Sequence, residues 1–270
     1  MSLHANIRQH LQKRLADIQP DEQAQLNDAL RLLSKWRSVL IQNTIVQHNG
    51  VVVLDGPFKG MEFLAQSAEG CHIAKLLGCY EQPLFSHIEQ AIRTNYTTVL
   101  NIGCAEGYYA VGMARRLRAA RIHAFDADAR ARAICSELAV KNGVADQITI
   151  GALFRPEDFA AHAKDRFLVI CDIEGAELEL LGPAALPWLA GADLIVESHE
   201  CLAPGVTERL RERFWMTHDV TLIEDDGQRQ LSAPPAWFKS LAHLDQLLAV
   251  WEWRSGPTPW LVMTAKHGPG

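Results

Sequence analysis

Apolar residues recur at helical spacing in the first fifty residues of the chain. They stand at Ile7, Leu11, Leu15 and Ile18 and, after Pro20, at Leu26, Leu30, Leu33 and Leu40. This spacing predicts two amphipathic helices, with Ser2 as the N-cap of the first and Gly50 closing the second. Residues 51–54 and the turn residues after them predict a short strand or hairpin. Residues 1–95 are therefore predicted to form an N-terminal helical cap.

From Thr98 onward, short apolar runs alternate with helical segments. The runs predict strands at 99–103, 121–126, 147–154, 167–174, 193–200, 218–225 and 260–266. Helices are predicted between them, ending near Leu117, Val140 and Phe214. Such alternation is typical of βαβ units around a largely parallel sheet. Residues 96–270 are therefore predicted to form one α/β domain.

Composition and charge indicate which kinds of molecule the protein binds. The 270 residues carry a formal net charge of −6, without the basic excess typical of proteins that bind nucleic acid or anionic membranes. No segment reaches the roughly 20 apolar residues of a membrane span, and the absence of an apolar signal core predicts a cytoplasmic location. The six cysteines lack metal-site spacing and are predicted to be buried, reduced thiols. A small-molecule or peptide acceptor is favoured, and a role of the cap as a lid or as a homodimer interface stays open.

The clearest candidate site is the turn that follows the first predicted strand. Its residues are Gly103, Cys104, Ala105, Glu106, Gly107 and Tyr108. Small residues at the end of a parallel strand let a ligand approach the backbone, and the next helix offers free N–H groups. Asp126 and Ala127 end the second strand, and Asp126 has nearly the spacing at which an acid binds ribose hydroxyls in dinucleotide sites. The turn and the acid together predict a nucleoside site.

The composition of the turn indicates which nucleoside binds. It lacks the G-x-G-x-x-G of dinucleotide sites, and the chain has no G-x-x-x-x-G-K-[ST] for a triphosphate. Glu106 would repel phosphates but could accept a hydrogen bond from an ammonium group, which suits S-adenosylmethionine. Ala105 stands at the middle position, where a methyl group is tolerable if the backbone keeps a negative φ.

Four segments between residues 98 and 200 carry a resemblance to a known family. In chain order they are NIGCAEGYYAVGMARRL, HAFDAD, ICDIEGAELELL and LIVESHE, and they resemble the FkbM-type class I methyltransferases. The resemblance implies a Rossmann-like class I methyltransferase fold, an α/β fold with a seven-stranded, mostly parallel sheet and an antiparallel last strand. It also implies that Gly103, Ala105 and Gly107 surround the methionine part of the cofactor and that Asp126 binds its ribose.

Two further expectations concern the same cofactor. The layout of the family implies that adenine lies near Ala152 and Leu153, at the tip of the third strand. The upstream run KLLGCYEQPLFSHI resembles the helix that precedes the first strand in such methyltransferases. Its Glu81 could reach the amino group of the cofactor, or it could be an exposed acid at the start of a helix.

The catalytic candidates are the polar residues at the tips of the fourth and fifth strands. They are Asp172, Glu174, Glu197 and His199, and Asp172 is also expected to contact the cofactor. Ligands of open α/β sheets bind outside the carboxyl ends of the strands. His199 or Asp172 could take the proton of a hydroxyl acceptor. Alternatively, Asp172, Glu197 and His199 could hold a divalent metal. Glu174 could instead belong to a helix start, and His199 could be a structural histidine.

These residues predict an enzyme that transfers a methyl group from S-adenosylmethionine. The resemblance implies a hydroxyl oxygen on a secondary-metabolite or sugar-like small molecule as the acceptor. Alternatives are N-methylation of a peptide or small amine and a non-catalytic S-adenosylmethionine-binding module. A nicotinamide-dependent oxidoreductase is disfavoured because the dinucleotide fingerprint is missing.

Overall fold

Two helices open the chain, which is described here by a computed structural model of residues 2–16, 21–65, 71–163, 166–254, 256 and 258–266. They are α1 (Leu3–Ala16) and α2 (Glu22–Asn49). The Ser2 hydroxyl accepts a hydrogen bond from the Ala5 N–H, and Gly50 ends α2 with φ +70°, so both predicted caps are confirmed. The predicted apolar position Ile18 lies outside the described residues.

The buried face of α2 differs from the prediction. Leu26, Leu30 and Leu33 are exposed, whereas Ile41 and Ile45 are buried. The helix contacts α1 but also two helices that come later in the chain, and α1 itself has no buried residue. No further element packs on the outer face of the two helices, among the described residues, so the leucines of α2 stay exposed to solvent. The other apolar residues of α2 pack against the core.

The segment that follows α2 forms a minimal hairpin and not a regular strand. The Val53 N–H donates to the Met61 carbonyl, and the Phe63 N–H donates to the Val51 carbonyl. Val52 forms a single antiparallel bridge with Glu62, and the Leu54 N–H donates to the Leu76 carbonyl of the next helix. The backbone of 51–54 thus bonds mainly to a loop and a helix end, and no ladder forms. Two helices complete the region, α3 (His72–Leu77) and α4 (Phe85–Thr94), with a 3-10 turn before α4.

A seven-stranded sheet forms the centre of the protein. Its strands are β1 (Thr98–Ile102), β2 (Arg121–Phe125), β3 (Ile148–Gly151), β4 (Phe167–Cys171), β5 (Asp193–Glu197), β6 (His218–Ile223) and β7 (Trp260–Ala265). The order is β3-β2-β1-β4-β5-β7-β6. Only β7 runs antiparallel to its neighbours, β5 and β6. The predicted Rossmann-like architecture with an antiparallel last strand is confirmed.

Helices cover both faces of the sheet. They are α5 (Tyr108–Arg116), α6 (Ala129–Lys141), α7 (Glu177–Leu180), α8 (Leu186–Leu189), α9 (Val206–Phe214), α10 (Ala236–Lys239) and α11 (His243–Val250). Val99 and Leu100, neighbours on β1, belong to different core clusters because successive strand side chains point to opposite faces. Ile41 and Ile45 of α2 join the cluster of Val99. The domain boundary at residue 95 stays a prediction.

Two predictions from composition can be compared with the structure. None of the helices in the described segments is long and apolar enough to cross a membrane. All six cysteines are free thiols, and four of them are buried. Cys71 is half-buried and Cys201 is exposed, so the prediction of burial holds for only part of the set.

Candidate cofactor and acceptor site

Three adjoining cavities lie at the carboxyl ends of the parallel strands. The large cavity, of about 660 Å³, lies at the carboxyl ends of β1 to β4, where Gly103 and Asp126 line it. The outer cavity, of about 250 Å³, lies beside His199 and Trp253. The inner cavity, of about 20 Å³, lies between Lys75 and the Gly103 turn. Asp172 lines all three.

Most of the predicted site residues line these cavities. The large cavity is lined by Gly103, Asp126, Ala127, Ala152, Leu153, Asp172 and Glu174. The inner cavity is lined by Gly103, Cys104, Ala105, Tyr108 and Asp172. The outer cavity is lined by Asp172, Glu174, Glu197 and His199. Glu81, Glu106 and Gly107 line none of the three.

The Gly103 turn packs tightly against the end of β4. Gly103 has φ +78°, and a Cβ there would lie 1.6 Å from the Asp172 carbonyl oxygen. Ala105 has φ +45°, so the condition given above for its methyl group, a negative φ, is not met. The left-handed conformation costs an alanine roughly 1–2 kcal/mol. It is held because the Ala105 N–H donates to Asp126 Oδ2 at 2.8 Å.

Backbone groups orient the Asp126 carboxylate at the wall of the large cavity. Oδ2 accepts from the Ala105 N–H and Oδ1 from the Asp128 N–H, each at 2.8 Å. The Asp128 side chain caps α6 by accepting a hydrogen bond from the Arg130 N–H. An acceptor fixed beside a nucleoside-sized cavity is suited to binding hydroxyl donors.

Glu106 is not placed as the sequence suggested. Its carboxylate is buried and ion-paired with Lys75, whose side chain is also buried. The ammonium that Glu106 binds is thus the one on Lys75, not one on a ligand. The Lys75 Nζ also lies 4.6 Å from the centroid of the Tyr80 ring. Sequence reasoning missed Lys75 because it stands 31 residues before Glu106.

Glu81 and Glu197 both contact Arg254. Glu81 is 1% exposed, so it is not the exposed acid considered above. Its carboxylate accepts hydrogen bonds from Arg254 and from the Tyr109 hydroxyl. Burial, followed by the charge of Glu197, raises the pKa of Glu81 to about 8. Glu197 accepts a hydrogen bond from the Arg254 Nη1 and forms an ion pair with it.

His199 lies between carboxylates. Its Nδ1 is 2.7 Å from Glu177 Oε1, and its Nε2 is 3.5 Å from Asp172 Oδ1 and 3.3 Å from Glu174 Oε2. Burial lowers the pKa of His199, but the hydrogen bond to Glu177 and the nearby negative charges outweigh it, so the pKa is raised. The sequence analysis missed this contact because Glu177 stands 22 residues before His199 and no local pattern links the two. The imidazole is fixed on one side and faces the outer cavity on the other.

One cluster in the described part of the chain has the composition of a metal site. Ligand atoms of Asp172, Glu174 and His199 lie within 4.8 Å of one another. Two carboxylates and an imidazole suit a divalent cation. The cluster differs from the predicted set because Glu174 takes the place of Glu197, which is bound to Arg254. Glu174 lies in the loop before α7, with φ +53°, and not in a helix.

The strand order and the antiparallel β7 define a Rossmann-like fold of the class I methyltransferase type. The chain is similar to the O-methyltransferase TomG from Streptomyces achromogenes, involved in tomaymycin synthesis and solved with S-adenosylmethionine. The TM-score is 0.51 at 15% identity, covering 84% of this chain and 96% of TomG. An O-methyltransferase from Bacillus cereus, solved with S-adenosylhomocysteine, gives a TM-score of 0.46 at 10% identity, covering 96% and 100%. No family model and no curated protein matches the sequence. At 15% identity the likeness to TomG shows the fold alone.

Proposed function

We propose that this protein is an S-adenosylmethionine-dependent methyltransferase of the FkbM type that methylates a hydroxyl oxygen of a small acceptor. The observation that carries the proposal is the position of Asp172, which lines the large, inner and outer cavities. Transfer between two bound molecules requires their reacting atoms to come within roughly 3–3.5 Å of each other. A cofactor in the large cavity and an acceptor in the outer cavity would meet at Asp172.

The large cavity fits the adenosine part of this cofactor. Its volume of about 660 Å³ lies in the usual range for cofactor sites, roughly 300–1,000 Å³. Asp126 offers oriented acceptor oxygens for ribose hydroxyls. Phe125 and Phe154, whose ring centroids are 4.7 Å apart, give an apolar wall beside Ala152 for the adenine. When bound, the cofactor supplies a methyl group on a positively charged sulfur, and the Asp172 carboxylate favours that charge.

The outer cavity fits a small acceptor and contains a candidate base. Its volume of about 250 Å³ suits a small molecule better than a polymer. Glu177 accepts a hydrogen bond from Nδ1 of His199, which leaves Nε2 to take the proton of an acceptor hydroxyl. A neutral amine needs no such base. The oriented imidazole therefore favours oxygen over nitrogen as the atom that is methylated.

The carboxylates around His199 favour a second mechanism for the same methyl transfer, in which a metal ion replaces the base. A divalent cation held by Asp172, Glu174 and His199 would act as a Lewis acid on the acceptor oxygen and orient it. His199 would then be a ligand and not a base. Turnover that is lost in chelator and restored by Mg²⁺ or Mn²⁺ supports the metal form. Turnover that is unchanged in chelator but lost in His199→Asn supports the base.

Binding of S-adenosylhomocysteine, measured by calorimetry, tests the cofactor half of the proposal. We expect Asp126→Asn to weaken binding by at least about tenfold, since it removes one acceptor oxygen and the charge. The matched control is Asp146→Asn, at an exposed position, which should bind like the wild type. No binding by the wild type would sink the proposal.

Turnover with a labelled methyl donor tests the reaction half. The acceptors are a panel of small hydroxyl compounds and a matched panel of amines. Label on oxygen is the expected result, and label only on nitrogen points to an N-methyltransferase. Tight binding of the cofactor without turnover on any acceptor points to a binding module. Binding of reduced nicotinamide dinucleotide in place of S-adenosylhomocysteine would point to an oxidoreductase.

A further inference from the structure

One face of α2 exposes a row of leucines that the proposed reaction does not use. Leu26, Leu30 and Leu33 lie four and three residues apart, so they share one side of the helix, called here the leucine face. Their exposed fractions are 62%, 63% and 37%. Leu244 and Leu247 of α11, a helix that packs against α2, are exposed as well. Single exposed leucines are normal, but a continuous group of them marks a contact with another molecule.

The leucine face is complementary to itself, which a second copy of the chain requires. A twofold interface uses the same surface on both copies. If two α2 helices pack antiparallel with Leu26 of one copy facing Leu33 of the other, symmetry makes Leu33 face Leu26 as well. The two Leu30 side chains then meet beside the axis. All three leucines of each copy are covered in this one arrangement.

The same arrangement brings opposite charges together. Glu22 stands four residues before Leu26, and Arg37 stands four residues after Leu33, so each lies at one end of the leucine face. An antiparallel pair that matches the leucines therefore places Glu22 of each copy beside Arg37 of the other. Arg37 bonds to Asp245 through Nε and Nη2, and its side chain is still 41% exposed, so Nη1 can donate to a second carboxylate. A parallel pair would place like charges side by side.

The size of the face fits a weak, reversible dimer. The stretch of α2 from Leu26 to Val39 is about 20 Å long, and α2 with α1 beside it is about 20 Å wide. Each copy would therefore cover on the order of 400 Å² of the other, before the leucines of α11 are included. Specific interfaces begin near a total of roughly 1,000 Å². Two copies come close to this lower limit.

We propose that the leucine face is the interface of a homodimer in which the α2 helices of two copies pack antiparallel across a twofold axis beside Leu30. The inference goes beyond the proposed function, because Leu26, Leu30 and Leu33 line none of the three cavities. Removal of the exposed leucines from water drives the association. The pairs of Glu22 with Arg37 at the two ends fix direction and register more than they add affinity.

Sedimentation velocity over a range of protein concentrations tests the dimer. We expect a reversible monomer–dimer equilibrium in the wild type. Leu30→Glu should raise the dissociation constant by at least about 100-fold, because two carboxylates would meet beside the axis. The variant should fold, as circular dichroism can check, since Leu30 is exposed in a single copy. The matched control is Val140→Glu, at an exposed apolar position on α6, which should dimerise like the wild type.

Cysteine cross-linking tests the direction and the register. The background is Cys201→Ala, which removes the exposed native thiol. Leu30→Cys should form a disulfide-linked dimer on oxidation. Leu26→Cys should not link to itself, since about 10 Å of helix separates the two copies of that position, but it should link to Leu33→Cys in a mixture of the two variants.

Three results would overturn the inference and leave the proposed function intact. One is a wild type that stays monomeric at every concentration. Another is a dimer that persists undiminished in Leu30→Glu, since it would use a different surface. The third is self-linking of all three cysteine variants, which would show a parallel pair.

Discussion

The stability of this protein should depend on pH through Glu81. Burial and the charge of Glu197 raise its pKa to about 8, although Arg254 and the Tyr109 hydroxyl act in the opposite direction. A glutamate in an unfolded chain titrates near 4.5. Between these values the folded protein keeps a proton that the unfolded chain releases. The free energy of unfolding therefore falls as the pH rises from about 4.5 through 8.

The size of the effect follows from the two pKa values. The gap between 4.5 and about 8 corresponds to a loss on the order of 5 kcal/mol, or about 1.4 kcal/mol per pH unit. Glu81→Gln keeps the shape of the side chain and is neutral at every pH. We expect the variant to gain stability over the wild type by about 1.4 kcal/mol per pH unit between pH 5 and 8 and then to level off.

Urea denaturation at each pH from 5.5 to 9 measures the difference between the two proteins. The matched control is Glu137→Gln, which removes an exposed carboxylate on α6. That variant should differ from the wild type by the same small amount at every pH. A difference between Glu81→Gln and the wild type that stays constant from pH 5.5 to 8 would refute the reasoning. Glu81 would then be ionised in the folded protein, as a partner of Arg254.

Three other substitutions test separate parts of the structure. Gly103→Ala places a Cβ 1.6 Å from the Asp172 carbonyl oxygen, and binding of S-adenosylhomocysteine should fall below calorimetric detection; wild-type affinity would contradict the close approach. Glu177→Gln should lower kcat by about tenfold or more with little change in KM, because a neutral partner no longer favours the protonated imidazole; an unchanged kcat would place that imidazole outside the reaction. Arg37→Met breaks a half-exposed ion pair to α11 and should lower the free energy of unfolding by about 1 kcal/mol in urea at pH 7; wild-type stability would show that solvent screens the pair.

The hydrophobic pattern predicted the positions of the strands well and the residues at which they end poorly. Most of the strands are short apolar runs, so all seven were located, but two of the predicted strands extend past the last paired residue. The strand predicted at 167–174 ends at Cys171, and the one at 193–200 ends at Glu197. The residues beyond those ends are the ones that form the site. Residues 51–54 form only a single bridge in place of the predicted strand or hairpin, because part of their backbone bonds to the end of a helix.

The cofactor turn was predictable because its parts are close in the chain or on neighbouring strands. Gly103 and Asp126 directly follow β1 and β2, which pair with each other, so local pattern and parallel pairing together bring them to one cavity. The conformation of Ala105 was not predictable in this way. Its positive φ depends on a hydrogen bond to Asp126, and no local preference of alanine favours it.

The sequence by itself determined the order of strands and helices, the glycine turn and the acid that faces it, since each follows from local preference and side-chain periodicity. Only the tertiary structure decided which ionisable side chains meet. Lys75 pairs with Glu106, and Arg254 with Glu81 and Glu197, across separations of 31, 173 and 57 residues. The sequence around a charged residue does not indicate its partner. A charged side chain needs a partner only when it is buried, and the packing of elements that are distant in the chain decides both the burial and the partner.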